Sequence, residues 1–79
     1  MQSLSKVFGR AVRRRRAERG LSQEELAGLS GIHRTYVSAI ERGKVRLGLD
    51  VALRVANSLR VPLSELIADA EELLEPRDG

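Results

Sequence analysis

The 79-residue sequence has no cysteine and no tryptophan, and only one phenylalanine, one tyrosine and one histidine. Without cysteine, neither a disulfide framework nor a thiolate metal site can form. That fits a reducing compartment, so a cytoplasmic protein is expected. The one histidine has no cysteine partner and no plausible serine triad, no glycine-rich phosphate loop is present, and the carboxylates near the C-terminal end are scattered over a polar face. No enzyme activity, cofactor, metal or small-molecule ligand is therefore expected. No apolar run approaches the roughly 18 residues of a membrane span, and the N-terminal residues lack the apolar block of a signal peptide. The expectation is no membrane.

What the sequence does have is charge, unevenly divided. Up to Arg46 there are eleven basic residues against four acidic ones, and beyond it three against seven, within a net charge of +3. A basic front and an acidic back suit a protein with one face on a polyanion and the other turned away. A chain of this length makes one domain and buries only about 60 to 65% of its unfolded surface, so stability is modest unless a partner adds buried area. The boundaries expected are 1–75 for that domain and 76–79 for a disordered tail.

The organising stretch is Ser22 to Arg42, SQEELAGLSGIHRTYVSAIER. Ser22 and Glu25 have the spacing of a capping box, which starts a helix at Gln23. Leu26 lies on its inner face, and Ala27 is small enough for a crossing helix to come close. Gly31 supplies the positive φ needed for a sharp exit. In the segment that follows, an advance of about 100° per residue puts Val37 and Ile40 on one face and Arg34, Thr35, Ser38 and Ala39 opposite. Two short helices joined so tightly must cross, which is helix-turn-helix grammar. The free quartet carries a fork of donors, two hydroxyls and a methyl, groups that suit base edges in a major groove.

Through GLSQEELA, Gly31, RTYVSAIERGK and the later Leu59 and Val61, the chain resembles the Cro and lambda-repressor type of helix-turn-helix regulator from about Phe8 to Leu66. IHRTYVSAIERG also looks like the controller proteins of restriction-modification systems. The resemblance implies an all-α, five-helix DNA-binding domain. It also implies a structural pair between Arg16 and Glu41, tying helix one to the end of helix three, and a backbone-holding role for Gln23, whose place at a helix N-terminus already suits a phosphate.

The rest of the chain is read around that centre. Met1 to Ser5 is expected to fray, and helix one to run from Leu4 or Ser5 to Arg19 with Gly20 as its stop. Its inner stripe is Phe8, Ala11 and Val12, continued by Arg15, which lays its stem on the core and sends its head to solvent. His33 sits where Ser, Thr, Asn or Asp would cap better, which leaves phosphate contact or an exposed residue with no role. Tyr36, at the edge of the free face, is either a phosphate or base contact or half-buried scaffold. Arg42, Lys44 and Arg46 are candidates for phosphates on the groove flanks, with a free surface loop as the alternative for the last two.

Asp50 is a plausible cap for helix four, whose Leu53, Val55, Ala56 and Leu59 are spaced to close the core. Arg60 stands where the family usually has a residue suited to a left-handed cap. Helix five starts at Pro62 or Leu63 and ends at Pro76. Its stripe of Leu63, Leu66, Ile67, Ala70, Leu73 and Leu74 is expected to be covered by a second copy of the chain, with folding back onto its own core as the alternative. The function expected is a homodimeric regulator on a palindromic double-stranded DNA operator, blocking or recruiting RNA polymerase. The rival is an antitoxin or protein-interaction module whose C-terminal helix grips a partner protein.

Overall fold

In a computed structural model of the chain, residues 3–74 are described. They form five helices, α1 (Leu4–Glu18), α2 (Gln23–Ser30), α3 (Arg34–Glu41), α4 (Leu49–Ser58) and α5 (Leu63–Glu72). Among the described residues there is no strand. The expected disordered tail and the Pro76 helix stop lie outside the described residues.

Ser3 caps α1 by accepting a hydrogen bond from the Lys6 amide at 3.1 Å, so Leu4 and Ser5 are helical rather than frayed. At α2 both halves of the capping box are present: Glu25 N donates to Ser22 Oγ at 3.0 Å, and Ser22 N donates to Glu25 Oε1 at 2.9 Å. Each bond satisfies an amide that the first turn would leave without a partner. Helix α4 departs from expectation because Gly48, not Asp50, is its N-cap, without a side-chain bond. Asp50 falls inside the first turn, where its charge still favours the positive end of the helix dipole.

Three helices end in one geometry. The Gly20, Gly43 and Arg60 amides donate to Ala17, Ile40 and Asn57, while the following Leu21, Lys44 and Val61 amides donate to Arg16, Ala39 and Ala56. That double bond pattern requires a left-handed residue at its corner. Two of the corners are glycine and the third is Arg60, at φ 58°.

Helix α1 runs through the middle of the domain, packing on both α3 and α5, while α2 packs on α3 and α4, and α4 on α5. Val7, Phe8, Ala11 and Val12 of α1 meet Leu26 and Ala27 of α2, Val37 and Ile40 of α3, Val55, Ala56 and Leu59 around α4, and Leu66 and Ala70 of α5 in one core. Two expectations fail here. Leu53 is exposed, and Ala52 turns inward in its place, because helical phase puts Ala52 and not Leu53 on the side of Val55, Ala56 and Leu59. Leu66 and Ala70 are 0% exposed within this one chain, so α5 folds back on the chain's own core at those positions and neither has surface left for a second copy.

Arg15 departs from expectation as well. Its Nε donates to Asp69 Oδ2 at 2.6 Å, and its NH2 group reaches Asp69 Oδ1 at 3.1 Å and Glu65 at 3.2 Å. The head does not run free into solvent but clamps α1 to α5, and its hydrogen bond to the Asp69 carboxylate raises the guanidinium above its ordinary value. The arginine on the inner stripe of α1 is thus an interhelical fork.

Candidate nucleic-acid interface

The outward face is built on α2, the turn and α3. Gly31 adopts φ 70°, and the Ile32 amide returns to the Ala27 carbonyl at 3.2 Å, so the chain reverses within three residues and α3 begins at once. Ser30 is buried in the turn, its hydroxyl donating to the Leu26 carbonyl at 2.8 Å. With Leu26 and Ala27 beneath it, α3 seats Val37 and Ile40 in the core at 1% and 2% exposure.

That seating decides where the other side of α3 points. Arg34 and Thr35 are exposed, and Ser38 and Ala39 are half-buried but still open to solvent. Tyr36 is half-buried and packs against the core cluster. Arg42 is exposed past the end of α3, with its Nε donating to the Ser38 carbonyl at 3.3 Å, and Lys44 and Arg46 are exposed on the loop that follows. These cations therefore follow the donor-rich face of α3 along the chain.

His33 does more than its residue type suggested. It is the N-cap of α3: the Thr35 amide donates to its Nδ1 at 3.2 Å, and Thr35 Oγ1 lies 2.8 Å from the same nitrogen. The ring thus substitutes for the short polar side chain usual at this position. Sequence reasoning missed this because a histidine cap is uncommon, although its place next to a recognised helix start was a signal.

Behind the face sits a polar cluster. Arg16 donates through Nε to Glu41 Oε2 at 2.7 Å and through NH2 to Glu41 Oε1 at 3.0 Å, and its NH1 group donates to the Leu21 carbonyl at 2.8 Å. Gln23 Nε2 adds a bond to Glu41 Oε1 at 3.1 Å. The Glu41 side chain is 3% exposed, so the bidentate fork is largely shielded from water, and it raises the Arg16 guanidinium above its ordinary value. One carboxylate therefore fixes the end of α1, the first residue of α2 and the last residue of α3 relative to each other. The Gln23 link to Glu41 was not legible from the sequence. With one amide hydrogen held inward, its carbonyl and second hydrogen remain on the α2 N-terminus.

Among the described residues no group of three or more histidine or acidic side chains could hold a metal ion, and no helix is long and apolar enough to cross a membrane. A sequence-family comparison matches residues 12–66 to the helix-turn-helix family. The control protein C.BamHI of Bacillus amyloliquefaciens is 39% identical over 62 residues, covering 77% of this chain and 76% of that protein. Among solved structures, the restriction-modification controller protein C.AhdI from Aeromonas hydrophila is 44% identical, with a TM-score of 0.75, covering 80% of this chain and 94% of that one. A structure of C.Esp1396I bound to a 25 base pair operator site is 27% identical, with a TM-score of 0.79, over 91% of this chain and 99% of that one.

Proposed function

This chain belongs to the helix-turn-helix family, and we propose that it acts as a sequence-specific, double-stranded DNA-binding transcriptional regulator, cytoplasmic and homodimeric, on a palindromic operator. The observation that carries this reading is the division of α3, with Val37 and Ile40 buried and Arg34, Thr35, Ser38 and Ala39 turned outward. In this reading Arg34 forks onto a guanine, the hydroxyls of Thr35 and Ser38 meet polar base edges, and Ala39 meets a thymine methyl. Gln23, His33, Tyr36, Arg42, Lys44 and Arg46 hold the flanking phosphates and set the register of the helix.

Two copies place two α3 helices in successive major grooves about 34 Å apart. The partner face is carried by the residues of α5 and the turn after it that keep surface, Leu63, Ile67, Leu73 and Leu74, together with Leu49 and Leu53 one turn apart on α4. Leu49 and Ile67 line one shallow apolar groove with Leu4 and Leu47, so the α4 and α5 contributions are continuous. The narrower reading, a controller of a restriction-modification system, is supported by the control proteins among its relatives. Such a protein regulates by occupancy, blocking RNA polymerase or recruiting it, with its own concentration as the input through the dimer equilibrium.

The test is selection of an operator from random duplex DNA with the full chain, followed by titration of that operator and of a scrambled duplex at two salt concentrations. A palindromic consensus bound at least a thousandfold more tightly than the scrambled duplex is expected. Equal affinity for both duplexes, with a steep loss on adding salt, would reduce the protein to a non-specific polyanion binder.

A further inference from the structure

We infer that His33 fixes the hydrogen-bonding polarity of Thr35, so that Thr35 reads an exocyclic amino group, adenine N6 or cytosine N4, at the base it meets. The inference rests on the operator-reading function proposed above and narrows it. A threonine hydroxyl both donates and accepts, and taken alone it can meet any of the four bases.

The His33 ring removes that freedom. Its Nδ1 lies 3.2 Å from the Thr35 backbone nitrogen and 2.8 Å from Thr35 Oγ1. A backbone N–H is a donor in every state, and a proton on Nδ1 would face that hydrogen head on. Nδ1 therefore carries its lone pair, and the ring proton sits on Nε2. The shorter contact then has one possible direction, from the threonine hydroxyl to the ring. Once its hydrogen is committed to His33, the exposed Thr35 oxygen offers only lone pairs to the groove.

Base edges respond to that polarity in opposite ways. Adenine N6 and cytosine N4 present hydrogens, whereas guanine O6 and N7 and thymine O4 present lone pairs. An acceptor-only Thr35 bonds the first pair and meets the second with lone pair against lone pair. Reading guanine or thymine would require the hydroxyl to leave His33 and forfeit that bond. Arg34, one residue earlier, has the opposite polarity, with five donors and no acceptor. Neighbouring side chains on the first turn of α3 thus ask for different edges, a guanine from Arg34 and an amino group from Thr35. His33 is a positioning residue in this scheme, since it acts on base choice through Thr35.

The experiment compares operators selected from random duplex DNA by the wild-type chain and by Thr35→Val, His33→Ala and His33→Asn, each first checked for wild-type helix content. The position whose preference Thr35→Val flattens identifies the Thr35 base. It should be adenine or cytosine for the wild type. Removing its amino group, with purine in place of adenine or pyrimidin-2-one in place of cytosine, should weaken wild-type binding by up to about tenfold and leave Thr35→Val binding unchanged. His33→Ala should admit guanine or thymine there, and His33→Asn, whose carbonyl oxygen still accepts from the amide and hydroxyl, should restore the original choice. A guanine or thymine at that position in the wild type overturns the inference, as does an unchanged preference in His33→Ala or a Thr35→Val profile identical to wild type. A wild-type selection that enriches nothing removes the operator-reading function itself, a result distinct from enrichment of the wrong base.

Discussion

Gly9 of α1 lies directly against the Ile40 carbonyl of α3, and a Cβ built on Gly9 would overlap that oxygen and stand 3.0 Å from its carbon. The obstacle is backbone at the end of a packed helix, which no rotamer change can move aside. Gly9→Ala is expected to destabilise the fold by about 1–3 kcal/mol through overpacking, lowering the thermal midpoint by roughly 4–8 °C per kcal/mol. Gly28→Ala is the control: its Cβ would meet nothing, and removing a glycine from a helix should stabilise by about 0.5–1 kcal/mol. Thermal unfolding followed by far-ultraviolet circular dichroism checks both, and equal midpoints would disprove the close approach.

The Arg16–Glu41 fork makes a different demand, since Glu41 is buried and acidic. Arg16→Ala strands that carboxylate with the Gln23 amide as its remaining side-chain donor. A loss of about 3–5 kcal/mol is expected for breaking one side of a shielded ion pair, a large part of the total stability of a small domain. Replacing both partners together, Arg16→Met with Glu41→Leu, should recover much of the loss. Urea unfolding of the three proteins measures the difference, and a double variant no better than Arg16→Ala would contradict this account.

The sequence carried the periodic and punctuated features of this fold well. The capping box at Ser22 and Glu25, the left-handed Gly31 and the split faces of α3 are local, so three or four residues decide each of them. The Arg16–Glu41 pair was legible through the family resemblance, but the other long-range contacts were harder to read because they join residues far apart in the chain. Asp69 meets Arg15 across 54 positions, and nothing local to either residue specifies the other. Gly9 could have been caught, since a glycine inside an otherwise well-formed helix costs stability and asks for a reason. The α5 stripe misled because helical spacing shows which residues share a face and not what covers them; Leu66 and Ala70 are buried in the core that α5 forms with α1 and α4.

Arg60 holds the left-handed corner that Gly20 and Gly43 fill elsewhere. For a residue with a Cβ that conformation costs about 1–2 kcal/mol, partly offset in glycine by the greater freedom of its unfolded chain. Arg60→Gly is therefore expected to stabilise the domain by about 0.5–1 kcal/mol, read as a higher thermal midpoint. A lower midpoint would mean that the arginine side chain contributes more than its backbone costs.

The proposed dimer separates α5 residues by burial. Ile67 keeps surface beside Leu49, whereas Leu66 is fully enclosed by its own chain. Ile67→Asp should leave helix content near wild type, shift the molecular mass in sedimentation equilibrium from dimer to monomer, and weaken operator binding by at least tenfold as the second half-site contact is lost. Leu66→Asp should instead unfold the chain, because it places a charge without a partner in the core. A folded Ile67→Asp protein that remains dimeric would relocate the interface away from this groove.

Arg34 and Arg46 are both exposed cations, yet they should fail in distinguishable ways. Arg34 stands on the outward face of α3, where a bidentate guanine contact carries about 1–3 kcal/mol of discrimination. Arg46 lies on the loop beyond Gly43, where the proposed contact is to backbone phosphate. Arg34→Ala should flatten the preference at one base position per half-site, reducing discrimination there by roughly 5- to 150-fold. Arg46→Ala should weaken operator and scrambled duplex alike and reduce the slope of log affinity against log salt by about 0.9 for each phosphate contact removed. Titrations of both duplexes at several salt concentrations resolve the two patterns. Arg34→Ala binding that is uniformly weaker with its base preference intact would make Arg34 a phosphate ligand and pass the reading of that base to Thr35 or Ser38.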